Sequence, residues 1–265
     1  MVEVKIMTYN VLHGFHQVQA PFALERQRLE AAQRVVADEN PDILAITEAA
    51  YGGPNQYGVS MNYAQLFGYP YVYFAPRPPY EWGNCLLSRF PIEGSTIVSG
   101  DRTALRAEID LGKSKLNLDI FHPDCNSTDD EKIDATSSLL KELPDNYILT
   151  GDFNALSDED EYDRIKLING FRRFDPNPIK SVDRLLAKKL IPHLKEKGLG
   201  DAFSPQTRRF TMPTSIYGPY TDSRMRIDYF FVTPKIKALE TRVIQNELTE
   251  MASDHYPIVG VFEIN

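Results

Sequence analysis

The stretch Asn146-Tyr147-Ile148-Leu149-Thr150-Gly151-Asp152-Phe153-Asn154 decides how this chain reads. The apolar run Tyr147 to Leu149 predicts a buried strand. Gly151 punctuates it. In extended backbone Asp152 and Asn154 fall on one side, and Phe153 falls on the other, where its ring can anchor the segment in a core. A carboxylate and an amide thus stand at the carboxyl end of a strand, a common place for an active site in a sheet protein. A carboxylate there holds a hard cation or orients a water. An amide binds an oxyanion or ligates a metal through its oxygen. Gly-Asp also opens ordinary surface turns, so the stretch needs support from the rest of the chain.

On the amino side of that stretch, Val2, Val4 and Ile6 alternate with Glu3 and Lys5, which predicts a first strand over 2–9. Leu24 to Glu39 carries Leu24, Leu29, Ala32, Val35 and Val36 at helical spacing and stops at Asn40-Pro41. Residues 42–48 follow as a buried strand, giving strand, helix, strand. A short helix is expected over 61–67 and a strand over 71–74, ended by Pro76 to Pro79. Short strands near 84–88, 95–99, 103–110 and 115–121, broken by Gly94, Gly100 and Gly112, predict antiparallel sheet. A helix over 130–143 leads into the strand at 147–150. Beyond it, 158–168 and 181–197 read as helices with Pro176 and Pro178 between them. Strands return at 227–232, 237–243 and 257–264. No repeat, linker or low-complexity tract interrupts this order, so one domain over 1–265 is expected.

Composition narrows the function classes. The 265 residues are 42% hydrophobic and 25% charged, as in ordinary globular proteins. Lys+Arg 29 against Asp+Glu 37 gives a net charge of -8, which argues against non-specific coating of nucleic acid. Two cysteines, Cys85 and Cys125, make no disulfide framework and fit a reducing compartment, although one bridge between them stays open. With no charged-then-apolar leader and no apolar run of membrane-spanning length, a cytoplasmic location and no membrane span are expected.

Further short stretches carry candidate chemistry. Thr8-Tyr9-Asn10 puts an amide at a strand end, and Ile46-Thr47-Glu48 puts a carboxylate at another. Gly83-Asn84-Cys85 enters a strand from a polar turn. Ile120-Phe121-His122 sets a histidine at a strand end. Arg226-Ile227-Asp228 leads an acid into an aromatic strand, and Ser253-Asp254-His255-Tyr256-Pro257 precedes the last one. Each has a structural alternative: Asn10 a turn residue, Glu48 a loop cap, Asn84 a turn cap, His122 a rim histidine. Asp228 is harder to dismiss, because an unpaired buried charge is costly. A histidine is a natural partner for it.

Taken in order and spacing, these stretches resemble the endonuclease/exonuclease/phosphatase superfamily, the metal-dependent phosphoesterases of the DNase I and exonuclease III type. Gly-Asp-Phe-Asn followed by Ser-Asp-His-Tyr-Pro is the specific part, and the resemblance covers nearly the whole chain. It implies an α/β (α+β) four-layer sandwich: two packed, mostly antiparallel sheets flanked by helices. It also implies roles. Glu48, with Asn10, Asp254 and Asp152, would hold the metal. Asp152 would activate the attacking water or hold a second metal, and Asn154 would position the nucleophile or a phosphate oxygen. His255, oriented by Asp228, and His122 would contact the scissile phosphate. Asn84, Arg226 and Trp82 would line the substrate. Oxygen donors without Cys/His zinc spacing favour Mg²⁺ or Mn²⁺.

Three departures bear on the branch. Leu12 stands where many such nucleases carry a second acid. Phe121-His122-Pro123-Asp124 replaces the Tyr-x-Pro-Asn of abasic-site repair enzymes and is more similar to the DNase I, phosphodiesterase and lipid-phosphatase branches. The usual arginine of the following helix is not evident. The resemblance implies a monomeric phosphodiesterase or nuclease of nucleic-acid or nucleotide-like substrates. The alternatives are a phosphoesterase of a small molecule or lipid headgroup, and a silent binding module. Arg172, Arg173, Arg208, Arg209, Arg224 and Arg226 could form a phosphate-binding rim or a solvated surface. Aromatics in 51–57, 80–82 and 217–220 could form a stacking wall for a base, or pack on the rim.

Overall fold

Twelve strands and seven α-helices are seen in a computed structural model that describes residues 1–17, 23–50, 61–77, 82–100, 102–173, 175–217 and 223–265. One six-stranded sheet contains β1 (Val2–Asn10), β2 (Ile43–Ala49), β3 (Tyr71–Arg77), β4 (Trp82–Ser88), β11 (Lys237–Val243) and β12 (Ile258–Ile264), in the order β11-β12-β1-β2-β4-β3. The other contains β5 (Ile92–Ser99), β6 (Arg102–Asp110), β7 (Lys115–Ile120), β8 (Tyr147–Asp152), β9 (Gly200–Asp201) and β10 (Asp228–Val232), in the order β5-β6-β7-β8-β10-β9. Each sheet holds one parallel pair, β1 with β2 and β7 with β8, and all other pairings are antiparallel.

Alternation along the strands builds three apolar layers. Val4 and Ile6 of β1 meet Leu118, Ile148 and Phe230 of the second sheet in the central core. The opposite faces, with Met7, Leu44 and Ile46, pack under α1 (Arg26–Glu39), α2 (Tyr63–Phe67) and α7 (Glu247–Ala252). On the far side, Leu149, Tyr229 and Phe231 pack under α3 (Asp129–Thr136) and α6 (Leu190–Glu196). The helices α4 (Arg164–Phe171) and α5 (Pro178–Leu185) close over Met225 and Ile227, which lead into β10. The result is the four-layer sandwich expected from the sequence.

Several boundaries differ from the sequence reading, for physical reasons. Strand β3 runs through Pro76 to Arg77, because it is an edge strand and a missing N–H costs nothing on the open side. The helix expected over 181–197 is two helices: Lys188 adopts a left-handed φ of 51, and Pro192 falls in the first turn of α6, where proline is tolerated. Helix α5 starts on Pro178 for the same reason. The helix expected from Asp158 starts at Arg164, where Asp163 caps it through the N–H groups of Ile165 and Lys166. Helix α3 stops at Thr136, short of Leu143. Helix α7 was not legible; Asn246 and Thr249 form its capping box. Both cysteines are free, Cys85 buried and Cys125 exposed. Among the described residues no helix is long and apolar enough to cross a membrane.

Candidate active site

The strands place most of the predicted polar residues at one end of the seam between the sheets. Ile148, Thr150 and Asp152 of β8 point toward the other sheet. Thr150 gives its hydroxyl hydrogen to the Tyr229 carbonyl (2.8 Å), so Thr8 of the other sheet is the donor in the Thr8–Thr150 hydrogen bond of 2.7 Å. Two residues further up β1, the Asn10 amide donates to Asp152 Oδ2 at 3.1 Å and to Glu48 Oε1 at 3.2 Å. Gly151 is required beneath them: its φ is +137, and a Cβ there would stand 2.1 Å from the Phe121 carbonyl oxygen. Phe153 anchors the segment against Phe121, Tyr229 and Phe231, as expected. Asn154 departs from the expected extended path. It takes φ 48, its N–H donates to Asp152 Oδ1 at 2.9 Å, and its amide donates to the Pro123 carbonyl at 3.1 Å.

Glu48 reaches the seam through an irregularity. The β2–β4 pairing slips between Ile46 and Ala49, and Glu48 has φ 58, so a bulge re-aims its carboxylate. The His13 N–H donates to Glu48 Oε2 at 2.9 Å. Burial opposes the Glu48 charge. His122, His13 and the hydrogen bonds from the His13 N–H and the Asn10 amide outweigh it and bring the pKa to about 2. At neutral pH those hydrogen bonds hold the anion, because His122 is itself neutral there.

His255 follows Asp254 in the bend that leads into β12 of the first sheet, while Asp228 sits opposite Asp152 in the β10–β8 register of the second. His255 Nδ1 lies 2.8 Å from Asp228 Oδ2, and its Nε2 lies 3.7 Å from Asp152 Oδ2. These three residues converge closely enough to suggest a metal trio. The 2.8 Å contact instead reads as an Asp–His hydrogen bond, with Nδ1–H donating. Burial disfavours the imidazolium, yet Asp228, Asp254 and Asp152 together hold its pKa well above the usual histidine range. Burial pushes Asp152 up to about 7, opposed by His255 and assisted by Asp228 and Glu48. Asp254 is raised as well, by burial first and by Glu48.

His122 closes the other flank. Its Nε2 lies 3.6 Å from Asp152 Oδ2 and 3.9 Å from Glu48 Oε1. Arg102 Nη1 stands 3.3 Å from its Nδ1, so Nδ1 accepts and Nε2 carries the hydrogen toward the carboxylates. Burial and Arg102 hold His122 down to about 3, a neutral imidazole at pH 7.

Three expected substrate contacts lie elsewhere or have other work. The Asn84 amide donates across the seam to the Thr103 and Ile120 carbonyls at 3.1 and 3.3 Å. Arg226 is 3% exposed and pairs with Asp160 (2.8 Å) and Asp201 (2.7 Å). Arg208 likewise pairs with Glu159. Trp82 is half-buried against the rings of His13 and His16. Of the aromatic loops, 51–57, 80–81 and 218–220 lie outside the described residues.

Sequence reasoning missed four supporting residues. Arg28, buried on the apolar face of α1, donates to the carbonyls of Val11, Leu12 and Ala252. Its signal was a cation four residues before Ala32 and seven before Val35, on the apolar stripe itself. Lys132 is fully buried and donates to the Asn154 carbonyl. Arg102 and His13 carried no local signal, since their roles come from tertiary contact.

The sequence profile of the Endonuclease/Exonuclease/phosphatase family matches residues 7–255. The chain belongs to that family. Solved structures of the family share its fold. A protein from Beutenbergia cavernae DSM 12333 is 19% identical, with a TM-score of 0.65 over 99% of this chain and 72% of that one. One from Leptotrichia buccalis C-1013-b is 18% identical, with a TM-score of 0.67 over 98% and 100%. TDP2 from D. rerio, complexed with single strand DNA product, is 18% identical, with a TM-score of 0.64 over 98% and 99%. No curated protein matches the sequence.

Proposed function

We propose that this family member is a divalent-metal-dependent phosphodiesterase acting on nucleic acid or nucleotide-like substrates. The observation that carries the reading is the buried His255 imidazole, with Nδ1 2.8 Å from Asp228 and Nε2 3.7 Å from Asp152, where the three surrounding carboxylates favour its charged form. A cation held there binds a non-bridging phosphate oxygen and stabilises the charge that grows on it in the transition state. Asp228 keeps the ring in place. Asp152 takes a proton from the attacking water at a carboxylate oxygen. Asn154 positions that water or a phosphate oxygen, and neutral His122 offers its Nε2–H as a second phosphate contact.

The residues present fit a Mg²⁺ or Mn²⁺ ion. Three carboxylates, Asp228, Asp254 and Asp152, surround His255, with Glu48 beside them; burial raises Asp152 and Asp254, and the neighbouring carboxylates add to it. Glu48, Asp254 and Asp152 would hold the ion. Asn10 fits less well than expected, because its oxygen accepts from the Leu12 N–H at 3.0 Å and its hydrogens face the carboxylates. When bound, such an ion adds positive charge at the phosphate and makes a water more acidic. The groups named all lie within one copy of the chain, so the proposed site needs no partner subunit.

The nucleic-acid preference draws on the D. rerio TDP2 complex with single strand DNA product, together with Trp82 at the rim. The small-molecule or lipid-headgroup reading draws on the net charge of -8 and on Arg208 and Arg226 being paired internally. The deciding experiment is a hydrolysis screen with Mg²⁺, Mn²⁺ or chelator over single-stranded DNA, RNA, cyclic nucleotides and inositol phosphates. Metal-dependent cleavage of nucleotide diesters is expected. Cleavage of inositol phosphates alone selects the second reading, and no cleavage with either ion returns the silent module.

A further inference from the structure

The environment of Glu48 contains one nitrogen donor that the readings above leave unused. Three imidazoles approach the carboxylates, and two are committed. Nδ1 of His122 accepts from Arg102, and its Nε2 carries hydrogen. Nδ1 of His255 is bonded to Asp228. His13 differs. Its Nε2 faces Glu48 Oε2 at 3.8 Å, while its buried Nδ1 has no hydrogen-bond partner among the described residues.

The 3.8 Å separation is informative. It is too long for a hydrogen bond, which needs roughly 3.2 Å or less. It is within the span of two donors on one ion, because atoms each ~2.1 Å from a common centre lie at most ~4.2 Å apart. The local backbone holds the pair in this arrangement. His13 takes φ 53 and Glu48 takes φ 58, both unusual for residues other than glycine. The His13 N–H is already bonded to Glu48, and the His13 ring packs on Trp82 with centroids 5.4 Å apart. The donor inventory around Glu48 gives the gap a purpose. Asn10 turns its oxygen away, and residue 12 is a leucine.

We propose that His13 Nε2 is a ligand of the cation held by Glu48, and that the site therefore favours Mn²⁺ over Mg²⁺. Mg²⁺ keeps to oxygen donors, whereas an imidazole nitrogen adds affinity for first-row ions, least for Mn²⁺ and more for those that follow it. The proposal rests on the metal-dependent reading and deepens it by naming the ion.

The test reads the metal, not turnover. Mn²⁺ is added at one equivalent to the full chain, and pulsed electron paramagnetic resonance measures coupling to ¹⁴N. A directly bound imidazole nitrogen is expected in the wild type and absent in His13→Asn, a substitution that tolerates positive φ. His122→Asn is expected to keep the signal. By calorimetric titration His13→Asn should weaken Mn²⁺ about tenfold or more and Mg²⁺ by much less. Mn²⁺ bound without nitrogen coupling, or coupling that survives in a folded His13→Asn, overturns the His13 assignment alone. If neither ion binds the wild type, the metal-dependent reading falls with it.

Discussion

Lys132 Nζ donates to the main-chain carbonyl of Asn154 at 2.6 Å, from a side chain with no solvent exposure. The bond fixes Asn154 where its backbone is left-handed. It also places a cation 3.8 Å from Asp129 Oδ1, while Asp129 Oδ2 takes the N–H groups of Lys189 and Leu190. One lysine therefore ties α3, the start of α6 and the catalytic turn together. Burial lowers its pKa, and Asp129 opposes that.

Replacing it separates positioning from stability. Lys132→Met should cost about 3 kcal/mol by leaving Asp129 buried and unpaired. It should lower kcat about tenfold with KM nearly unchanged, since Asn154 would be misplaced and not removed. Adding Asp129→Asn should recover part of the stability in chemical denaturation and none of the turnover. Full recovery of turnover in the double variant would refute the positioning role.

Asp152→Asn and His255→Ala should each reduce turnover about a hundredfold or more, because each removes proton transfer or transition-state charge stabilisation. The melting temperature of the metal-free Asp152→Asn protein should equal or exceed that of the wild type, through relief of carboxylate repulsion. Near-normal turnover in either variant on a cleaved diester would reassign the chemistry.

The pH dependence of the metal-free protein has a definite sign. Asp152 has a folded pKa of about 7 against about 3.9 unfolded, so the folded state binds the proton more tightly. Stability from this group is present below about pH 4 and is lost as pH rises toward 7. His255, raised above its unfolded value of about 6.5, contributes in the same direction. Its share is complete below that pH and is lost as pH rises through the folded pKa. The chelated protein should therefore melt higher at pH 6 than at pH 8, and Asp152→Asn should flatten the lower part of the profile. Calorimetric scans across that range decide it. A chelated wild type that melts higher at pH 8 contradicts the assignment.

Arg226 provides a control. It pairs with Asp160 and Asp201 and lies over the Tyr229 ring, 4.5 Å from its centroid. Arg226→Met should cost about 3 kcal/mol, as loss of one partner from a buried ion pair does. KM for a nucleotide diester should stay within about twofold of wild type. A large KM increase at preserved stability would return Arg226 to the substrate.

Much of this site could be read from the chain because its members sit at strand ends, where alternation fixes direction. Asp152, Asp228 and Phe153 follow that rule, and the pairing of His255 with an acid was chemically demanded. Glu48 reaches the site only through a bulge, and Asn154 only through a left-handed turn, so their orientation was not available from periodicity. Lys132, Arg102 and His13 act across sequence separations that no local pattern encodes. Arg226 failed in the opposite way: its basic neighbourhood suggested phosphate, but Asp160 and Asp201 were closer claimants. The helix breaks at Lys188 and Arg164 show propensity yielding to backbone geometry and capping.

The Thr8–Thr150 bond has a mechanical consequence. It pins the two sheets directly below the point where Asn10 meets Asp152. Glu48, Asp254 and His255 ride on one slab, and His122, Asp152 and Asp228 ride on the other. Sliding one slab over its neighbour by roughly 3 Å would take that bond beyond hydrogen-bond range and open the Asn10–Asp152 and His255–Asp228 contacts with it. Chemistry here is thus gauged by the stacking of two rigid plates, and loops can be exchanged around the rim without retuning the spacing at the centre.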